Sequence, residues 1–132
     1  SGSVQKTMST TNSLQMNWQR GDVVLCRVPM PSTELQQFKI RPAIVVSANF
    51  LNQILADVMV VPCTSNTNRP LTQTQYLITG DEVESIGIRV DSVIRCESIF
   101  TLNQSMILRK LGCLKPEMSI QIDQCLLCAL QL

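Results

Sequence analysis

Five or six short runs of apolar, often β-branched residues precede the one long stretch in which apolar residues recur at helical spacing. Each run is cut off by Gly, Pro or a polar turn. They are Val23–Val28, Ala43–Val46, Asp57–Thr64, Gln75–Ile78 and Val90–Ile99, the last entered through Ile86-Gly87-Ile88. Runs of this length and composition are strands. In the final stretch Met118, Ile122, Cys125 and Ala129 form a 4-3-4 stripe, with Ile120, Leu127 and Leu130 broadening it. Pro116 stands at its first helical position. Asn103–Leu111 also reads as a helix, with Met106, Ile107 and Lys110 at helical spacing and Gly112 as its stop. Strands followed by helices predict an α+β chain or a small, partly open antiparallel barrel, the longer helix being C-terminal.

Prolines punctuate this pattern. Arg20-Gly21-Asp22 is a turn that feeds the first strand, and Pro29–Lys39 reads as a polar loop. Pro42 is expected to begin a strand, and Pro62 to end regular pairing and throw Cys63–Asn68 into a loop. Ser65–Pro70 carries polar turn chemistry. Asn49–Ala56 reads as an irregular or single helical turn. Residues 1–19 read as a polar tail, expected to be flexible, whose Ser1-Gly2 is read as an expression scar and set aside from fold reasoning. Trp18 is expected to anchor that tail where it joins a single domain spanning 20–132.

Composition removes several functions. The chain is 45% hydrophobic and 16% charged with net charge +1, so it is globular and is no basic nucleic-acid coat. It has no histidine. That excludes Ser-His-Asp and Cys-His nucleophile pairs, histidine nucleases and mixed Cys/His zinc sites. The six cysteines lie mostly in apolar runs without the spacing of a secreted framework, and read as small buried hydrophobes in a reducing compartment. Cys125-Leu-Leu-Cys128 lacks the second pair that a metal site of this spacing needs. No apolar stretch is long enough to span a membrane, and no secretory leader is legible, so a cytoplasmic protein is expected.

Val90–Ile99 holds the most suggestive chemistry. Its alternation places Val90, Ile94 and Cys96 on one face and Arg89, Asp91, Arg95 and Glu97 on the other. A cation and a carboxylate two residues apart then stand side by side on a stiff element. This arrangement suits acid–base work on a phosphate. A solvated face with weak ion pairs is the competing reading. Asp91 reads as a partner for Arg89.

Arg20-Gly21-Asp22-Val23-Val24, Arg41-Pro42-Ala43-Ile44-Val45-Val46-Ser47, Val60-Val61-Pro62-Cys63-Thr64-Ser65, Asp91-Ser92-Val93-Ile94-Arg95-Cys96-Glu97 and the Lys115-Pro116-Glu117 helix start follow one another in order. In this order and spacing they resemble the MazF/PemK family of toxin endoribonucleases, over residues 20–132. The resemblance implies an SH3-like, partly open barrel, a homodimer, a cognate antitoxin as partner and single-stranded RNA as substrate. It implies no metal and no cofactor. Attack by the 2′-hydroxyl on the adjacent phosphodiester would leave a 2′,3′-cyclic phosphate and a 5′-hydroxyl. The family's Arg and Thr match Arg41 and Thr64, and its Arg-Cys-acid triplet matches Arg95-Cys96-Glu97 with Glu in place of Asp. Some members use a histidine near the first loop, which this chain lacks, so an inactive, non-catalytic binder on the same fold stands as an alternative.

On this reading Arg41, Thr64, Arg95 and Glu97 are the catalytic candidates, and Lys39, Ser65 and Arg69 contact RNA. Glu97 would be the base, kept ionised by Arg95. The two arginines would clamp the phosphate rather than give up a proton. Arg41 as a strand brace and Thr64 as an ordinary turn hydroxyl stand as alternatives. Two other functions on related folds fit less well. A CcdB-like gyrase poison would end in Trp-Gly-Ile, whereas this chain ends Ala129-Leu130-Gln131-Leu132. An SH3-type peptide groove would want exposed aromatics, and the aromatic content is 4%.

Overall fold

The computed structural model describes residues 18–29 and 37–132. The expectations for the tail up to Asn17 and for residues 30–36 lie outside these. Seven strands form one antiparallel sheet: β1 (Asp22–Pro29), β2 (Phe38–Val45), β3 (Asp57–Thr64), β4 (Gln75–Ile78), β5 (Ser92–Arg95), β6 (Phe100–Asn103) and β7 (Ile107–Cys113). Their order is β4-β5-β3-β2-β1-β7, with β6 also paired to β3. Three helices are present among the described residues: α1 (Asn49–Ile54), α2 (Asp81–Ser85) and α3 (Pro116–Leu130).

The period of two in β1, β2 and β3 sorts the core into two clusters, one per sheet face. Val23, Ile44, Val61, Cys63 and Ile94 pack on one face, under Met118, Ile122, Cys125 and Leu126 of α3. Val24, Ala43, Val45, Val58 and Val60 pack on the other, with Trp18, Leu102 and Ile107. Trp18 is 4% exposed, so its indole closes the second cluster. Each fully buried Val, Ile or Met contributes about 1.5–3 kcal/mol of transfer free energy. Among the expected stripe residues of α3, Ile120, Leu127 and Leu130 stay exposed, whereas Leu126, outside that stripe, is buried. The buried face of the helix is therefore narrower than the apolar count suggests.

The sheet differs from expectation at four places. Asn103–Leu111 is no helix: a 3₁₀ turn at Gln104–Met106 leads into β7, which pairs with β1 through Val24↔Lys110 and Leu25↔Arg109. Register shifts at Val23/Val24 and Leu25/Cys26 mark irregular pairing there. The fit of β7 to β1 is a long-range interaction that overrides a local helical spacing. The Val90–Ile99 run yields only Ser92–Arg95 as strand, and Val90 is 55% exposed. A turn then leads into a separate strand, β6. α2, with Asp81, Glu82 and Glu84 in its first turn, fills a stretch for which no element was expected. Finally, Pro42 lies inside β2 rather than at its start, and β3 runs through Cys63 and Thr64.

The prolines explain that last difference. Pro42 faces Leu25 in the β1–β2 ladder, but β2 and β3 share only Ala43↔Pro62, Ile44↔Val61 and Val45↔Val60. A proline has no N–H to carry a ladder onward. Beyond the Ala43↔Pro62 rung β3 pairs instead with β5, through Cys63↔Ile94 and Thr64↔Val93. The two strands thus part company at the prolines.

No ladder joins β4 to β7 among the described residues, so the sheet is an open one. The chain just after α2 instead comes against β7. Gly87 has φ +87°, and a Cβ on it would strike the Leu111 carbonyl. A Cβ on Gly112 would lie 2.5 Å from the Ile86 carbonyl oxygen. Two glycines, one on each segment, allow this backbone-to-backbone approach.

Candidate RNA-binding groove

Where β2 and β3 separate, a groove of about 1070 Å³ opens. Lys39, Arg41 and Pro42 line it from β2, and Cys63–Asn66 with Asn68 from β3 and the loop that follows. Gly87–Val90 line it ahead of β5, Ser92 from the start of β5, and Leu25, Arg109 and Leu111 from β1 and β7. Four cations, Lys39, Arg41, Arg89 and Arg109, therefore converge from two strands and one loop, and among the described residues the lining contains no carboxylate. Such a surface attracts a polyanion without any opposing charge of its own. Among the described residues it also contains no aromatic side chain on which a base could stack.

The expected site residues fall into two groups. Lys39, Arg41, Thr64 and Ser65 all line the groove. Arg69 does not, although Asn66 and Asn68 before it do. Arg95 and Glu97 are also outside the lining. Thr64 is paired with Val93, so Arg95, two residues on, emerges on the same side of the ladder. The Arg95–Glu97 pair forms as the spacing indicates, with Nε 3.1 Å from the carboxylate. The expected Asp91–Arg89 pair is not among the ion pairs of the described residues, which are Arg20–Asp123, Arg95–Glu97 and Lys110–Asp22.

Thr64 has a defined orientation. The Asn66 backbone N–H donates to its Oγ1 at 3.2 Å, so one lone pair is taken and the hydroxyl proton is left to donate. Cys63, deep in the groove, is no nucleophile. Burial, reinforced by Cys26 and Cys96, pushes its thiol up to about 12, so it stays protonated.

Glu97 is held by three side chains. Thr74 Oγ1 donates to Oε1 at 2.8 Å, and Gln75 Nε2 and Arg95 Nε donate to Oε2 at 2.8 and 3.1 Å. Partial burial raises its pKa. The hydrogen bonds from Gln75, its own backbone N–H, Thr74 and Arg95 outweigh that and hold it below the usual glutamate value. Among the described residues no three His, Cys, Asp or Glu side chains gather in a way that could hold a metal ion.

Arg89, Arg109, Asn66, Asn68 and Ser92 are groove residues that the sequence argument did not select. For Arg109 the signal was hidden, because its segment reads as helix until β1 is placed beside it. Arg89 was visible as a member of the charged face near β5, without any sign of where that face leads.

A seven-stranded antiparallel sheet, a C-terminal helix and a cationic groove define a small α+β protein. Residues 19–130 match the family model described as PemK-like, MazF-like toxin of type II toxin–antitoxin system, and the chain belongs to that family. Its fold is similar to that of an endoribonuclease from a mycobacterial species, at TM-score 0.69 and 23% identity over 89% of this chain and 95% of that one. A mycobacterial endoribonuclease in complex with its cognate antitoxin is similar at TM-score 0.67 and 24% identity, over 87% and 96%. A MazE–MazF structure from Deinococcus radiodurans is similar at TM-score 0.69 and 17% identity, over 89% and 98%. Comparison with curated proteins by sequence found no match.

Proposed function

We propose that this chain is the toxin of a toxin–antitoxin pair and acts as a sequence-selective endoribonuclease on single-stranded RNA, without a metal ion. The observation that carries the reading is the groove: four cations and the Thr64 hydroxyl around one cleft with no acid in its lining among the described residues. A phosphodiester passing through a pentacoordinate state gains negative charge, and preorganised donors that meet this charge lower the barrier. Arg41 supplies a guanidinium, and Thr64 a hydroxyl that accepts from the Asn66 N–H and keeps its proton to donate. The 2′-oxygen attacks phosphorus, the bond to the 5′-oxygen breaks, and the proton lost from the 2′-hydroxyl is balanced by one gained at the 5′-hydroxyl. The products are a 2′,3′-cyclic phosphate and a 5′-hydroxyl. Lys39 and Ser65 hold the strand on either side of the reacting phosphate, and Arg69 meets it beyond the groove.

A cytoplasmic homodimer neutralised by an antitoxin completes the proposal. Ile120, Leu127 and Leu130 form an exposed apolar strip on α3 that a second copy could cover. No helix among the described residues is long and apolar enough to cross a membrane. The relatives crystallised with antitoxin supply the model for that partner. The test is incubation of purified protein, freed of antitoxin, with a long single-stranded RNA in EDTA. Cleavage at a recurrent sequence with cyclic-phosphate ends is expected. RNA left intact at micromolar protein would reject the proposal.

A further inference from the structure

We infer that Glu97 is a positioning residue, which holds the β3–β4 loop so that the first half of that loop forms the groove wall. The inference rests on the reading of the groove as the RNA site. The loop comprises residues 65–74. Its first part, Ser65, Asn66 and Asn68, lines the groove. It contains no buried residue, and 65–73 are all exposed. Near the groove, the bonds that shape it among the described residues are local ones, from the Asn66 N–H to Thr64 Oγ1 and from the Asn68 N–H to Asn66 Oδ1. Its far end is where it is fastened.

That fastening converges on Glu97. Thr74 Oγ1 and Gln75 Nε2 both donate to its carboxylate at 2.8 Å. The neighbouring Cys96 N–H donates to the Thr74 carbonyl at 2.9 Å. Thr72 joins the cluster, its hydroxyl 2.9 Å from that of Thr74. A carboxylate with three side-chain donors is a strong local acceptor and a poor proton base, since each bond stabilises the form that must take the proton. The geometry therefore favours holding over proton transfer. It also gives the Arg-Cys-acid triplet a route to the groove without entering its lining.

The experiment compares Glu97→Ala, Glu97→Gln and the double variant Thr74→Val/Gln75→Leu with the wild type. It measures kcat and KM on an RNA that the wild type cleaves, affinity for its uncleavable 2′-O-methyl counterpart, and hydrogen exchange of amides 65–75. Positioning predicts for Glu97→Ala about a tenfold rise in KM and in Kd, a kcat within about threefold, and faster exchange in the loop. Glu97→Gln should recover part of the KM loss, because an amide still accepts one bond. The double variant, which leaves the carboxylate in place, should reproduce the Glu97→Ala effect. A general base would lower kcat by about a hundredfold or more in both Glu97 variants, with KM and loop exchange unchanged, and that result overturns the inference. If the Glu97 variants fail to fold, the double variant decides alone: unchanged KM, Kd and exchange would overturn it. If the wild type neither cuts nor binds RNA, the function proposal has failed; unchanged loop exchange in the variants would defeat the positioning role separately.

Discussion

Gly87 and Leu111 meet backbone to backbone: a methyl group on the glycine would overlap the leucine carbonyl. Both residues line the groove. The contact holds the segment carrying Arg89 against β7, which carries Arg109, so it sets the spacing of two of the four cations. Gly87 also has φ +87°, a conformation that side chains with a Cβ resist. Gly87→Ala should destabilise the fold by about 2 kcal/mol or more and weaken RNA binding at temperatures where the variant is still folded. Urea unfolding and RNA anisotropy on one sample check both. A stability within about 0.5 kcal/mol of wild type would show that the two segments part without cost.

Arg41 and Thr64 lie on strands that separate just beyond the Ala43↔Pro62 rung, and both face the groove between them. Arg41→Ala should lower kcat/KM by about a hundredfold or more, since it removes a preorganised charge at the developing phosphorane. Thr64→Ala should cost roughly tenfold, the value of one hydrogen bond of about 1 kcal/mol or a little more. Both variants should keep the wild-type circular dichroism spectrum and melting temperature within a few degrees.

Salt reports how many of the cations touch RNA phosphates. With Lys39, Arg41, Arg89 and Arg109 all engaged, log Kobs against log salt should have a slope of about −3. Arg89→Gln and Arg109→Gln should each make it shallower by about 0.7. Titration of an uncleavable labelled oligonucleotide from low to moderate KCl measures this. A slope unaffected by either substitution would remove that arginine from the interface.

Acid should loosen the Glu97 cluster. Its folded-state pKa lies below the ordinary value of 4.5, so the stabilising bonds are fully present above 4.5 and are lost as pH falls through the lower folded-state value. Wild type should therefore lose stability more steeply than Glu97→Gln as pH falls from neutral past 4.5. Urea midpoints at matched pH provide the comparison. Parallel curves would mean that the carboxylate is not preferentially ionised in the folded protein.

The thiols should divide by depth. Cys113 and Cys128 are exposed, whereas Cys26, Cys63, Cys96 and Cys125 are buried. Burial pushes Cys26 up to about 11 and Cys96 up to about 12, with further small contributions around Cys96 from Cys125 and Glu97. Only two thiols should react quickly with a disulfide reagent in the native protein, and six after denaturation. Rapid reaction of four or more would mean that the core opens readily.

The sequence by itself determined the central strands, the closing helix and the residues that identify the family. The apolar centres of Val23–Val28, Ala43–Val46 and Asp57–Thr64 call for a buried sheet, and Met118, Ile122 and Cys125 for a helix packed by one side. It also pointed to the meeting of Arg95 and Glu97, but through strand alternation, whereas β5 ends at Arg95 and Glu97 reaches it from the turn that follows. Tertiary structure alone decided that Ile107–Cys113 is a strand, since its extended form is supported by β1, more than 80 residues earlier. It alone decided that Arg109 and Arg89 join Arg41 and Thr64 while Glu97 turns to Thr74 and Gln75. Those placements depend on where distant segments cross, and crossing is set by which ladders continue and which stop. Local periodicity carries no record of that: Pro42 and Pro62 are legible as interruptions, but the groove exists only where the two interruptions fall side by side.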